Sequence, residues 1–165
     1  MKYDVIVLGS GPAGYVTAIR ASQLGLKTAI IEKESLGGVC LNWGCIPTKA
    51  LLKSASVFQY IEHASDYGIK TSGAKIDFPS VIKRSRSVAE GMSGGVQFLL
   101  KKNKVDVIMG MGKVQPGKKI EVTDDKGVKT SYEANHIIIA TGARSRVLPN
   151  IPQDGKTIIG YREAM

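Results

Sequence analysis

The first part of the chain alternates between short apolar runs and one helical pattern. Apolar residues dominate residues 2–8 and 27–32, which predicts two buried strands. Between them, residues 15–24 carry apolar side chains at helical spacing, with Val16, Ile19 and Leu24 as the expected inward stripe. Strand, helix and strand within the first 35 residues predict the opening of a doubly wound parallel sheet.

Two longer helical patterns follow. They cover residues 47–63 and residues 77–102, and a Gly-rich loop is expected over residues 35–44. The second helix contains three glycines that predict a kink or a close helix contact: Gly91, Gly94 and Gly95.

Strand signals dominate after residue 104. The predicted strands are residues 105–109, 119–123, 128–132 and 136–140, the last apolar enough to be central, with a further strand at 157–160. Beyond Arg144 the periodicity fades. The predicted fold class is α/β: a Rossmann-like domain with a parallel sheet plus a small antiparallel β-meander.

Composition and charge narrow the function classes. A chain of 165 residues predicts one domain, and it contains neither an apolar run of about 20 residues nor the apolar region of a secretory signal. We therefore expect a cytoplasmic protein without a membrane partner. Lys and Arg number 23 against 14 Asp and Glu, a net charge of +9. The positive charges are dispersed with few aromatic neighbours, which favours a solvated face over a nucleic-acid site.

A glycine motif follows the first strand. Gly9, Gly11 and Gly14 have the spacing of the dinucleotide fingerprint and open the first helix. The first glycine permits a tight turn, the second lets a pyrophosphate approach the backbone, and the third permits close packing between helix and strand. Glu32 ends the second strand, 23 positions after Gly9. A carboxylate at this position binds a ribose hydroxyl, and it disfavours the 2′-phosphate of NADP. A glycine-rich turn without a ligand is the alternative.

Cys40 and Cys45 are the only cysteines, five positions apart. Four intervening residues allow the sulfurs to meet at disulfide geometry. Cys45 precedes the helix predicted at Pro47, whose dipole favours a thiolate, and Cys40 is expected to be the more accessible sulfur. Inert thiols or half a zinc site are the alternatives. Zinc needs about four ligands, and only His63 and His136 are available, so no metal site is predicted.

Residues 37–49 read G-G-V-C-L-N-W-G-C-I-P-T-K. With the glycine fingerprint, this segment resembles the N-terminal part of the pyridine nucleotide-disulphide oxidoreductases over residues 3 to about 152. Leu41 and the short lead into the first strand are most similar to the dihydrolipoamide dehydrogenase branch. Another flavin disulfide reductase, of the glutathione or mercuric reductase type, and a non-catalytic FAD-binding module are the alternatives.

The resemblance implies an oxidoreductase that moves electrons from dihydrolipoamide through a cysteine pair and FAD to NAD⁺, as part of cell redox homeostasis. Cys40 resembles the interchange thiol and Cys45 the thiol beside the flavin, which makes both catalytic. The implied partners are dihydrolipoamide or the lipoyl domains of 2-oxoacid dehydrogenase complexes, and the full-length protein is expected to be a homodimer. The basic charge either steers acidic lipoyl domains or, as we favour, only keeps the surface soluble.

The resemblance also implies the cofactor-binding positions. Lys49 is expected to reach the flavin ring, and Gly112 either touches the adenine end or is a turn glycine. The complete set of implied cofactor contacts is Gly9, Gly11, Pro12, Ala13, Gly14, Glu32, Lys33, Gly38, Val39, Cys40, Cys45, Lys49, Gly112, Ala140, Thr141 and Gly142.

Compared with the family, the chain is truncated. Residues 1–150 match an FAD-binding domain that carries the redox disulfide, and residues 151–165 match the start of the connection to an NAD-binding domain. The second dinucleotide motif and the histidine-bearing dimerisation domain of the family have no counterpart here. We therefore expect that this chain does not turn over alone.

Overall fold

Six strands form a single sheet in the computed structural model, which describes residues 1–165: β1 (Lys2–Leu8), β2 (Thr28–Glu32), β3 (Asp106–Met109), β4 (Met111–Gln115), β5 (Lys119–Thr123) and β6 (Lys129–Ile139). Their order across the sheet is β3-β2-β1-β6-β5-β4. The first four are parallel, and β5 and β4 continue the sheet as an antiparallel meander. The predicted fold class is confirmed.

Five helices accompany the sheet: α1 (Pro12–Gln23), α2 (Gly38–Trp43), α3 (Cys45–Glu62), α4 (Phe78–Lys102) and α5 (Tyr161–Ala164). A short 3₁₀ turn, Ala64–Tyr67, follows α3. None of these helices combines the length and apolar composition that a bilayer crossing requires.

The two strands β1 and β2 are largely buried on both faces, whereas β3 and the parallel half of β6 keep exposed side chains. Alternate residues of β1 point in opposite directions, so Val5 and Val7 face the helices while Ile6 faces the meander. On the helix side they pack against Ala18, Val96 and Leu100. On the other side the contacts include Ile120 and Val122 of β5. Full burial of such side chains contributes about 1.5–3 kcal/mol each, so this layered core is what holds β1 in the centre.

One long strand, β6, replaces the two strands predicted at 128–132 and 136–140. Its first half pairs with β5 and its second half with β1. The exchange occurs at Glu133, which lies opposite both Lys119 and Lys2. The polar residues between the two apolar runs suggested a break, but a strand that changes partners needs no apolar side chain there.

The predicted inward stripe of α1 is wrong at two positions. Val16 is 55% exposed and Leu24 is 63% exposed, while Ile19 is half-buried. The buried face consists of small residues instead: Gly14, Ala18 and Ala21. Small side chains let α1 lie close to the sheet, and this close approach turns the bulkier residues outward.

Three further predictions of local structure are corrected. The loop expected over residues 35–44 contains α2, which begins after positive φ angles at Gly37 and Gly38. The close helix contact expected at the α4 glycines is absent, because a Cβ at any of them meets nothing within 4 Å. Residues 157–160 contain no strand, and the sequence did not predict β4.

Tyr3 links the central and edge strands of the sheet. It is 3% exposed, and its hydroxyl donates to Oδ2 of Asp106 in β3 at 3.0 Å. Burial first, and then the hydrogen bond and negative charge of Asp106, raise the pKa of Tyr3 to about 12 from 10.0. The folded state therefore keeps a proton that the unfolded state releases above pH 10.

We predict that Tyr3→Phe reduces the loss of stability at high pH. In the native chain, the contribution of Tyr3 is fully present below about pH 10 and is lost as the pH rises to about 12. The variant should lose about 1 kcal/mol near pH 8 with the hydrogen bond, and should show a shallower decline above pH 10. Urea unfolding across this range measures both effects. The exposed Tyr67→Phe is the control, and equal slopes for native and Tyr3→Phe chains would contradict the assignment.

Candidate functional site

The turn after β1 brings backbone segments together with no side chains between them. Gly9 has φ +100°, and a Cβ on it would overlap the carbonyl oxygen of Ala140 at the end of β6. A Cβ on Gly14 would overlap the carbonyl oxygen of Gly9. These two glycines therefore fix the start of α1 against the ends of β1 and β6.

Gly11 differs from its two neighbours in the motif. It is the N-cap of α1, no side chain caps the helix, and a Cβ built on Gly11 meets nothing within 4 Å. The first N–H groups of a helix lack intrahelical partners and carry partial positive charge. The open space before α1 is thus suited to an anion such as a pyrophosphate.

Glu32 lies beside this turn at the end of β2 and is only 8% exposed. Its Oε2 accepts hydrogen bonds from Ser10 N at 2.9 Å and Ser10 Oγ at 2.6 Å, and its Oε1 accepts one from Glu34 N at 2.9 Å. Ser10 is fully buried. Sequence reasoning missed Ser10, although a hydroxyl inside the fingerprint, facing the carboxylate at the end of the second strand, was an available signal.

The segment that carries the cysteines lies against the same turn. Gly38 has φ +59°, and a Cβ on it would lie 2.8 Å from the Gly11 Cα. This contact seats α2 on the fingerprint. Cys40 in α2 and Cys45 at the start of α3 form a disulfide, with their Cα atoms 4.7 Å apart. A disulfide therefore lies next to a candidate dinucleotide site.

The relative accessibility of the two cysteines differs from the prediction. Cys40 is half-buried and packs against the core on the helix side of the sheet, whereas Cys45 is exposed at the first turn of α3. The expectation that Cys40 is the more accessible is wrong in this structure. Cys40 is turned inward because it lies in the helix α2 and not in the loop that the sequence predicts.

Asn42, between the cysteines, holds α2 in place. Its Nδ2 donates to the carbonyls of Leu36 at 3.0 Å and Gly38 at 2.9 Å, and its Oδ1 accepts from Ser93 Oγ at 3.1 Å. Its own carbonyl accepts from Arg86 Nη1 at 2.8 Å. Two residues of α4 thus fix the segment that carries the disulfide.

These parts enclose a cavity of about 440 Å³, within the range typical of small-molecule sites. Its walls come from the fingerprint, the end of β2, α2, the start of α3 and the end of β6. The predicted cofactor positions that line it are Gly9, Gly11, Pro12, Glu32, Lys33, Gly38, Val39, Cys40, Cys45, Ala140, Thr141 and Gly142. A smaller cavity of about 170 Å³ adjoins it and is bordered by Gly112.

The other predicted positions lie outside the cavity walls. Gly14 is buried beneath the turn, and Ala13 and Lys49 are exposed on their helices. Gly112 lies in β4, where a Cβ would meet Leu8 of the core, so its interpretation as a turn glycine is wrong. No group of three or more His, Cys, Asp or Glu side chains is placed to hold a metal ion.

Nine lining residues were not predicted from the sequence. Four of them belong to the segment after β6, where the hydrophobic pattern fades. The unpredicted lining residues are Ser10, Glu34, Ser35, Trp43, Gly44, Ala143, Arg144, Tyr161 and Arg162.

The chain resembles known proteins over nearly all of its residues. The sequence pattern of the pyridine nucleotide-disulphide oxidoreductase family matches residues 3–164. A dihydrolipoyl dehydrogenase from Rhizobium etli is 52% identical over 99% of this chain and 37% of its own length. That from Zymomonas mobilis is 50% identical over 99% of this chain and 35% of its own. The chain thus spans little more than a third of these relatives.

Solved structures agree in fold. LpdA from Mycobacterium tuberculosis superimposes with a TM-score of 0.86 and 27% identity, over 99% of this chain and 36% of its own. The HOCl-induced flavoprotein disulfide reductase RclA from Escherichia coli, solved as a Cu(II) complex, superimposes with a TM-score of 0.75 and 28% identity, over 90% of this chain and 30% of its own. In both solved structures, the part that matches this chain is about a third of a longer protein.

We predict that Asn42→Ala loosens the disulfide-bearing segment. The variant leaves the carbonyls of Leu36 and Gly38 and the hydroxyl of Ser93 without this partner, which should destabilise the chain by about 1–3 kcal/mol. Ser93→Ala removes only one of these bonds and should cost less. Urea unfolding of both variants gives the comparison, and an Asn42→Ala chain as stable as the native chain would exclude the anchoring role.

Proposed function

The chain belongs to the pyridine nucleotide-disulphide oxidoreductase family, and on this basis we propose that it is the FAD-binding, disulfide-bearing part of a dihydrolipoyl dehydrogenase. The proposed activity of the full-length protein is oxidation of dihydrolipoamide with NAD⁺ as the final electron acceptor. The catalytic residues assigned within this chain are Cys40 and Cys45.

One observation carries the proposal: the Cys40–Cys45 disulfide and the uncapped start of α1 border the same cavity. A site for a dinucleotide alone needs no disulfide, and a purely structural disulfide needs no anion site beside it. Their shared wall is what a flavin-dependent disulfide oxidoreductase requires.

The residues present fit FAD. The open space at Gly11 and the free N–H groups of α1 suit its pyrophosphate, and Glu32 is fixed where it can accept a hydrogen bond from the adenosine ribose. The carboxylate disfavours a 2′-phosphate at that position. Thr141 and Gly142 complete the wall. When bound, FAD supplies a two-electron acceptor for the cysteine pair.

The chemistry of the cysteine pair is thiol–disulfide exchange. One thiolate of dihydrolipoamide attacks a sulfur of the Cys40–Cys45 bond, which breaks that bond and forms a mixed disulfide. The second substrate thiol then displaces the enzyme sulfur. The substrate leaves as the cyclic disulfide, and the enzyme holds two thiols and the two electrons. We assign Cys40 as the exchange sulfur and Cys45 as the sulfur nearest the flavin, with Lys49 reaching the flavin from α3.

The proposed partners follow from this activity. Dihydrolipoamide, free or on the lipoyl domains of 2-oxoacid dehydrogenase complexes, is the substrate, and the full-length protein is proposed to be a homodimer. We also propose a cytoplasmic location. The similarity to RclA favours a second candidate, in which the full-length protein acts on another disulfide substrate. Activity of the full-length protein with dihydrolipoamide and with glutathione disulfide distinguishes the two.

We predict that Gly11→Asp separates folding from FAD binding. Asp is a better N-cap than Gly and complements the dipole of α1, so thermal stability should stay equal or rise. The same side chain fills the open space and repels the pyrophosphate, so FAD affinity should fall at least about 100-fold, or about 2.7 kcal/mol. Equilibrium dialysis with FAD measures the affinity, and a thermal melt measures stability.

Gly11→Asn is the matched control, because it has nearly the same volume and capping ability without the charge. It should weaken FAD binding less than Gly11→Asp does. Unchanged FAD affinity in the Asp variant, or no measurable binding of FAD to the native chain, would refute the cofactor assignment.

Cysteine alkylation provides a second prediction. After reduction and in the absence of FAD, iodoacetamide should label Cys45 several-fold faster than Cys40, because Cys45 is exposed at a helix start while Cys40 is half-buried. Saturating FAD should slow labelling of Cys45 selectively. Mass mapping of the labelled peptides gives both rates.

The Gly11→Asp chain, with the same FAD concentration, controls for effects of FAD on the reagent and should show no protection. Faster labelling of Cys40 in the free chain would contradict the observed exposure. Protection of Cys40 instead of Cys45 would reverse the proposed roles of the two sulfurs.

A further inference from the structure

Two of the last residues of the chain, Tyr161 and Arg162, line the cavity. The Cζ atom of Arg162, in α5, lies 4.1 Å from the ring centroid of Trp43. The same guanidinium makes a bidentate ion pair with Glu34, in which Nη2 and Oε2 are 2.8 Å apart. A planar guanidinium can stack on an aromatic ring and bind a carboxylate at its edge simultaneously.

These contacts join three separate parts of the fold. Trp43 is the last residue of α2 and lies between the two cysteines, while Glu34 is two residues beyond the end of β2. Arg162 is 128 positions from Glu34. Among the side chains of α5, only Arg162 makes an ion pair or cation–π contact with both the disulfide-bearing helix and the segment after β2.

Four residues around α5 form a wall between two cavities. Glu34, Arg144, Tyr161 and Arg162 line both the 440 Å³ cavity and a neighbouring, mostly polar cavity of about 420 Å³. Met165 and Thr48 of α3 make a second contact between this segment and the site, with 3.4 Å between Sδ and Oγ1. Removal of α5 would merge the two cavities and open the side of the site next to Trp43.

We propose that Arg162 is a positioning residue whose contacts with Trp43 and Glu34 hold α5 as a movable wall of the dinucleotide cavity. The ligand enters and leaves when these contacts release. That the ligand is FAD rests on the proposed function, whereas the closure of the cavity by Arg162 does not.

The contacts are suited to opening and closing. The side chains of Arg162 and Glu34 are each 39% exposed, so water competes for both and the pair is weak enough to break. The hydrogen bond from Arg162 lowers the pKa of Glu34, so the pair stays ionised to a more acidic pH than an unpaired glutamate would. Both contacts involve the same guanidinium, so a displacement that breaks one disturbs the other.

Trp43 provides a direct measurement, because it is the only tryptophan of the chain and lines the cavity. In the 165-residue chain without FAD, Arg162→Ala should increase acrylamide quenching of tryptophan fluorescence at least twofold. Arg162→Lys keeps the charge but loses the planar contact, and should restore less than half of the protection. Glu34→Gln should give an intermediate value.

Lys156→Ala is the matched control, since Lys156 is an exposed cation of the same segment with no side-chain partner in the structure. It should leave the quenching unchanged. If Arg162→Ala leaves the quenching unchanged, or if Lys156→Ala raises it equally, the proposal is overturned. This measurement is independent of FAD, so its failure is distinct from failure of the proposed function.

Ligand exchange tests the movable wall itself. In stopped-flow experiments with FAD, Arg162→Ala should accelerate both association and release about fivefold or more, with a smaller change in Kd. A residue that only stabilises the fold would lower the melting temperature without accelerating both rates. Unchanged rates in a variant with increased quenching would overturn the role in ligand entry.

Discussion

At the turn after β1, three backbone contacts exclude all side chains: Gly9 on Ala140, Gly14 on Gly9, and Gly38 on Gly11. The first contact places the end of β6 beside the fingerprint. The second brings the start of α1 against the end of β1, and the third places α2 and Cys40 against the fingerprint. Anion site and disulfide share a wall because each is positioned against the same few backbone atoms. A side chain at Gly9 or Gly14 would overlap backbone atoms of its neighbour and force these elements apart at the turn.

The parts of the fold with local signals were predictable. β1 and β5 match their expected bounds, and the fingerprint glycines lie at the turn they imply. The buried face of α1 was not predictable from bulky apolar residues, because close packing selects Gly and Ala there and leaves Val16 exposed. The sequence predicts two strands in place of the long β6, because a polar stretch separates its two apolar runs. At this stretch β6 changes its partner from β5 to β1.

Some residues of the candidate site were predictable from the sequence and others were not. Residues in the glycine and cysteine motifs were found because their types and spacing state a chemical requirement. Ser10, Arg86 and Arg162 act through hydrogen bonds or ion pairs with residues distant in sequence, such as the pair between Arg162 and Glu34. A single polar residue has no periodicity, so only the three-dimensional structure identifies its partner.

The pairing of β1 with β6 has a consequence for how the protein is made. Lys2 lies opposite Glu133 and Leu8 opposite Ile139, so the second edge of the first strand stays uncovered until residue 139 has been synthesised. At about 5–20 residues per second, translation to that point takes about 7–28 s. During this interval the edge of β1 that later pairs with β6 remains open to other nascent chains, which is a risk for aggregation. The cofactor cavity, closed by Ala140, cannot form before synthesis has passed that residue.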